Sequence, residues 1–331
     1  NNIYIYYINK MNTKRTKPFK KNKTKKLKKN KVVIGILTAP IPDKNDELNA
    51  KSYLYKSYID WVNLKDVKIV PLQYNLPKHI LLVLLNQING IIMVGGAVNN
   101  LNTHKMKTYK QYLGTCKYII NHAKNENNKK RYFPLFSICL GFEIMGILAQ
   151  KKIGSEKEFS KSSIDKIQNK GLYPLHFNDE DSRLKALFTS AERDQISKKP
   201  SVYYSHKLSF NISKKYTEKI EKKQLIASSA TKNGKHYITS MEHRNYPFYS
   251  TLFHPEKPKF LRHIPNTNTS NLVSLRLIDF FVKECKKNKN RWLGCGNANN
   301  FFIENYPYYM IKKGNHKIPT YVFGEIQKHY N

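Results

Sequence analysis

Within the first 150 residues four short runs are apolar at nearly every position, and stretches with helical spacing separate them. The runs are VVIGIL from Val32, VKIVPL from Val67, GIIMV from Gly90 and PLFSI from Pro134. A strand that meets solvent on one face alternates apolar with polar residues, so runs apolar throughout fit strands covered on both faces. Such strands belong to parallel sheets, where a crossover helix must join each strand to the next. Helical stretches lie where the crossovers require them. Leu54, Tyr58 and Val62 recur every four residues between Ala50 and Val62; Pro77 to Gln87 opens with proline and continues Leu-rich; Met106 to Lys124 also has helical spacing. The spacing predicts an α/β fold, a three-layer sandwich around a mostly parallel central sheet.

Beyond Gln150 the pattern weakens, and residues 151 to 200 read as loops with one short strand near Leu172 to Phe177. LIASSA, HYITSMEH and PFYSTLFHPEK then read as strands, and NLVSLRLIDFFVKECKK as a closing amphipathic helix. The tail from about Asn288 is aromatic-rich and carries Pro307 and Pro319, which suits extended segments packed on one domain of residues 32 to 331. Residues 1 to 31 read as a disordered basic arm.

The net charge of +36 first suggests a polyanionic partner. Its distribution argues otherwise. Twelve Lys and Arg lie between Lys10 and Lys31, no acid precedes Asp43, and the remaining lysines are interleaved with asparagine in diffuse runs such as NENNKK. Nucleic acid is therefore not expected as the principal partner. Cysteines at 116, 139, 285 and 295 are too scattered for a disulfide framework, and His104, His122, His176 and His206 lack zinc-site spacing, so no metal is expected. The longest apolar stretches fall far short of the ~20 residues of a membrane span. The opening NNIYIYYINK is not a convincing signal peptide, and Met11 is an alternative start.

One thiol chemistry remains. Cys139 stands where the apolar run FPLFSI stops and Leu-Gly-Phe-Glu opens a helix. A sharp strand-to-helix turn exposes sulfur at the C-terminal edge of a sheet, where the helix dipole favours thiolate and the Leu140 N–H is placed for an oxyanion. In FHPEK, His254 and Glu256 are two residues apart at a strand end and so share a side. A carboxylate there fixes the imidazole tautomer so that the other ring nitrogen can take a thiol proton. Gly95 and Gly96 end a buried strand and permit a nest of backbone N–H groups near the same edge.

These segments resemble the class I glutamine amidotransferase-like hydrolases and, within them, the gamma-glutamyl hydrolases. The resemblance runs through IGILTAP, INGIIMVGGAV, FPLFSICLGFE, YYSHKLS, ITSMEHRNYPFYSTLFHPEK and LIDFFVKE. It implies a flavodoxin-like topology, Cys139 as nucleophile, His254 as base, Glu256 as its orienting acid, and Gly96 with Leu140 near the oxyanion. His206 and Glu143 match family residues near the cleft. The implied activity is hydrolysis of γ-glutamyl amide bonds, with a small-molecule poly-γ-glutamyl folate as substrate, no cofactor, a homodimer, and a lysosomal, vacuolar or secreted setting. Sequons at Asn22, Asn211 and Asn268 are compatible with that route. The alternatives are a glutamine-hydrolysing amidotransferase domain and a catalytically inactive basic binding protein. Ser137-Ile138, Phe253, Ser205 and Leu208 depart from the family pattern, which puts the pocket shape in question and leaves the reacting groups intact.

Overall fold

A computed structural model describes residues 31–41, 51–96, 103–150, 164–178, 181–293 and 301–324. The basic arm up to residue 30 and Cys295 lie outside the described residues. The central sheet contains β1 (Val33–Leu37), β4 (Lys68–Leu72), β5 (Gly90–Met93), β6 (Leu135–Ile138), β8 (His176–Phe177), β10 (Gln224–Lys232), β11 (Lys235–His243) and β12 (Phe248–Thr251). Its order is β4-β1-β5-β6-β12-β11-β10-β8. The first five positions are parallel to one another, and the last three continue the sheet antiparallel. The parallel part has the flavodoxin-like order.

Two separate cores explain why the strands are apolar throughout. On one face Ile34, Ile36, Ile92 and Phe136 pack against helix α1 (Lys56–Val62) and helix α7 (Asn268–Lys287) through Trp61 and Phe281. On the other, Val33, Leu37, Ile91 and Leu135 meet α2 (Lys78–Leu85), α3 (Thr103–Asn128) and α4 (Leu140–Gln150). Each strand thus feeds alternate side chains into opposite layers. The contact of α4 with β5 is close enough to exclude a side chain at Gly141, where a Cβ would lie 2.7 Å from the Met93 carbonyl oxygen.

Three segments differ from the expectation. Residues 52–55 form a strand, β3 (Ser52–Tyr55), before α1 begins, although their spacing reads as helix. Tertiary pairing prevails over spacing here, because β3 joins a second sheet of order β13-β14-β3-β2, with β2 (Ala39–Pro40), β13 (Tyr308–Lys313) and β14 (His316–Phe323). Within 164–200, β7 (Asp165–Tyr173) and α5 (Ser190–Lys198) are regular where loops were expected. The missed signal is the capping box at Thr189 and Glu192. Finally, β9 (Val202–Ser209) pairs antiparallel with β7 as a separate ribbon, and α6 (Lys215–Glu221) follows it.

A buried carboxylate ties the two strands that lead to the site. Glu284 of α7 accepts hydrogen bonds from Tyr132, just before β6, and from Tyr249 of β12 at 2.7 Å, and it pairs with Lys287. Burial opposes its ionisation, but Lys287 and the two phenols outweigh burial and hold the carboxyl below its ordinary value. Its stabilisation is therefore complete above the unfolded pKa of about 4.3 and is lost as pH falls through the lower folded value. Glu284→Ala is expected to cost about 3 kcal/mol at pH 7. The gap should narrow at pH 3. Urea unfolding of both proteins at the two pH values checks this, and a gap below about 1 kcal/mol at pH 7 would contradict it.

Candidate functional site

Three neighbouring strands, β5, β6 and β12, run parallel and end at one edge of the sheet. Gly95 and Gly96 follow β5, Cys139 follows β6, and His254 lies three residues beyond β12. Adjacent strands are about 4.8 Å apart, so chain segments distant in sequence are brought side by side at the edge where α/β folds place their ligands.

Cys139 sits between strand and helix with φ +52°, a left-handed conformation that a non-glycine residue holds only when its surroundings enforce it. The enforcement is visible. Its N–H donates to the Thr251 carbonyl at 2.8 Å, and its own carbonyl accepts from the Glu143 N–H at 2.9 Å, starting α4. The strained turn aims the side chain away from both elements, toward the Ser205 carbonyl of β9, 3.9 Å from Sγ.

His254 is held at backbone and ring. Its N–H donates to the Tyr203 carbonyl at 2.9 Å, and Nδ1 lies 2.8 Å from Glu256 Oε1. Strand β12 stops at Thr251, so His254 and Glu256 face each other through a turn and not through strand alternation as expected. Both are buried, Glu256 completely. Burial opposes ionisation of Glu256, yet the His254 ring, its hydrogen bond and Lys257 keep the carboxyl below its ordinary value. Burial, then Lys257, pushes His254 down against the pull of Glu256. The resting pair is an ionised carboxylate and a neutral imidazole that donates from Nδ1, leaving Nε2 as an acceptor.

Gly95 lies between the Cys139 side chain and the His254 ring. A Cβ built there would stand 2.8 Å from His254 Cε1, 2.9 Å from the Tyr58 hydroxyl and 3.2 Å from Cys139 Cβ. Nucleophile and base candidates flank one point that only glycine leaves open. The Gly95 N–H is itself committed, donating to the Tyr58 hydroxyl at 2.9 Å. Tyr58 was not legible as a site residue, since its place in an i, i+4 pattern reads as core. Burial and then the Glu256 and Cys139 charges hold its phenol far above its ordinary value.

Burial pushes the Cys139 thiol up to about 12, with Glu143 adding and Lys257 and the Leu140 amide opposing. Glu143 is itself pushed up to about 8 by burial. His206 lies close enough to His254 to feel its charge, with Nδ1 3.2 Å from the Leu208 carbonyl. Burial, and among charges His254, takes His206 down to about 4. Among the departures from the family pattern, Ser205 and Leu208 meet the site through backbone carbonyls, which any side chain would supply. The conspicuous MEHR segment plays a structural part: Glu242 accepts from the Arg183 and Leu184 N–H groups at 3.1 and 3.2 Å. Among the described residues no group of His, Cys, Asp and Glu is placed to hold a metal ion.

The profile of the family "Glutamine amidotransferase class-I" matches residues 49–261. The chain belongs to that family. Among curated relatives, Gamma-glutamyl hydrolase B of Dictyostelium discoideum is 25% identical over 303 residues, covering 89% of this chain and 83% of that protein. Gamma-glutamyl hydrolase 1 of Arabidopsis thaliana is 24% identical, covering 90% and 84%. The fold is also similar to the glutaminase domain of Trypanosoma brucei CTPS with bound acivicin, at TM-score 0.50 and 15% identity, covering 79% of this chain and 96% of that one.

Gly95→Ala tests the geometry directly. The added methyl enters the space between the Cys139 Cβ and the His254 ring, and His254 cannot yield without losing its bond to Glu256. The variant is expected to fold with a cost of about 1–3 kcal/mol while Cys139 alkylation by iodoacetamide, followed by peptide mass mapping, slows at least about tenfold. Unchanged alkylation would contradict the arrangement.

Proposed function

We propose that the protein is a cysteine hydrolase that cleaves γ-linked glutamyl amide bonds, with folylpoly-γ-glutamates as its substrate class. The observation that carries this reading is the single open point at Gly95, flanked by Cys139 Cβ and by the His254 ring that Glu256 orients. Its similarity to gamma-glutamyl hydrolases over most of the chain supplies the substrate class.

In the proposed reaction His254 Nε2 takes the Cys139 proton as sulfur attacks the γ-carbonyl carbon. With the thiol held high and the imidazole low, proton transfer and attack belong to one general-base step and not to a preformed ion pair. The oxyanion is received by the Leu140 and Gly96 N–H groups, because the Gly95 N–H is occupied by Tyr58. On collapse the carbon–nitrogen bond breaks, His254 returns its proton to the leaving amine, and a thioester remains on Cys139. Water, deprotonated by His254, attacks the thioester and releases the γ-carboxylate and the thiol. Glu256 stays ionised throughout and stabilises the imidazolium formed in each half. A lysosomal, vacuolar or secreted setting is part of the same proposal, and the sequon at Asn268 is exposed at the start of α7.

The family match also favours free glutamine as a competing substrate. Assays with γ-linked diglutamate, pteroylpentaglutamate and glutamine separate the readings. We expect the γ-linked compounds to be hydrolysed, glutamine to be a poor substrate, and Cys139→Ala to lower the rate by about 10⁴ or more. Preference for glutamine would favour the amidotransferase reading, and hydrolysis surviving Cys139→Ala would overturn the mechanism.

A further inference from the structure

Basic side chains from three separate segments converge around the chain that follows His254. The hairpin of β13 and β14 turns at Lys313 to His316, and its second strand is fixed to β3, which runs directly into α1 and Tyr58. Lys313 donates to the Tyr55 hydroxyl at 2.7 Å and lies 4.9 Å from the centre of that ring. The His316 ring stacks on His263 at 4.1 Å with an interplanar angle of 11°, so the hairpin closes against the chain that follows His254 and Glu256. Lys257, directly after Glu256, stands 5.7 Å from the Tyr203 ring. On the far side Lys170 of β7 is paired with Ser205, whose carbonyl faces the Cys139 sulfur.

Lys170, His263, Lys313 and His316 are exposed and Lys257 is half-buried. Among the described residues none of the five forms an ion pair with a carboxylate. They feel one another: after burial, the charges that depress His263 are His316, Lys257, Lys170 and Lys313, with no carboxylate among them. Lysines are abundant in this chain, but a mutually repelling group gathered around one buried nucleophile is a different matter from a diffuse surface. Basic side chains held by a sheet, a stacked ring pair and an aromatic face, with Glu256 the carboxylate that acts on Lys257, favour an anion in their midst.

We propose that Lys170, Lys313, His263 and His316 form a subsite for the free α-carboxylates of glutamyl units beyond the scissile bond. The proposal rests on the hydrolase reading above. A γ-linked chain carries one α-carboxylate per unit, so a longer tail presents a row of anions that a single deep pocket would leave unbound. The hairpin then has a part in the reaction: it sets chain-length preference while Cys139 and His254 do the chemistry.

The test compares Lys170→Ala/Lys313→Ala with Lys117→Ala/Lys222→Ala, which removes the same charge from exposed positions elsewhere. For the first variant kcat/KM on pteroylpentaglutamate should fall about tenfold or more, with less than a twofold change on pteroyldiglutamate; the second variant should behave as wild type. Equal losses on both substrates, or equal losses in both variants, would overturn the proposal. If the double variant does not fold, Lys170→Ala alone, which removes a side chain without a hydrogen bond to any described residue, should show a smaller loss of the same kind, and no loss would count against the subsite. If wild type hydrolyses no γ-linked substrate, the hydrolase reading fails on its own. The subsite is then read by fluorescence anisotropy of labelled γ-pentaglutamate on Cys139→Ala protein. Binding that weakens with salt, and about tenfold with Lys170→Ala/Lys313→Ala, supports it; a single-stranded oligonucleotide binding equally well would show a general polyanion surface and contradict it.

Discussion

The site depends on parallel pairing in register. Tyr249, Ser250 and Thr251 of β12 lie opposite Phe136, Ser137 and Ile138 of β6, and Met93 of β5 lies opposite Ser137. With the strand ends aligned, the backbone continuing from each must meet its neighbours within one strand spacing. The Thr251 carbonyl then becomes the acceptor that holds Cys139 in its left-handed turn, so the strand leading to the base candidate also braces the nucleophile candidate. A slip of one residue would reverse every side chain on β12, exchange the contents of the two cores and break that contact.

Burial gives the arrangement its electrostatic character. Sulfur, imidazole and carboxylate all lie out of water, which raises the thiol, lowers the imidazole and would raise the acid. The acid escapes that fate because the ring stands against it. One member of the trio is thus charged at rest and hydrogen-bonded on one oxygen, while burial favours the neutral forms of the other two. Lys257 and the cations beyond it add a positive field on the open side.

Much of this was legible in the sequence because it depends on local pattern. Runs apolar at nearly every position specify strands covered on both faces. Cys139, Gly95 and Gly96 follow strand ends, where a pattern change marks the edge, whereas His254 and Glu256 lie in a turn beyond β12. What was not legible depends on distant pairing. SYLY reads as helix because nothing local reveals that residues 320–323 will pair with it. Tyr58 reads as core for the same reason, and its role at Gly95 exists only once two βα units have met. The basic rim was dispersed in the charge count: Lys170, Lys257 and Lys313 are far apart in the chain and unremarkable among so many lysines.

In the proposed reaction Cys139 and His254 act as one unit. A double-mutant cycle measures this on hydrolysis of γ-linked diglutamate, using Cys139→Ala, His254→Ala and the pair. Groups that act together are grossly non-additive, so each single change should cost about 10³ or more and the pair little beyond the worse of the two. Losses that multiply in the double variant would show two independent groups and contradict the claim.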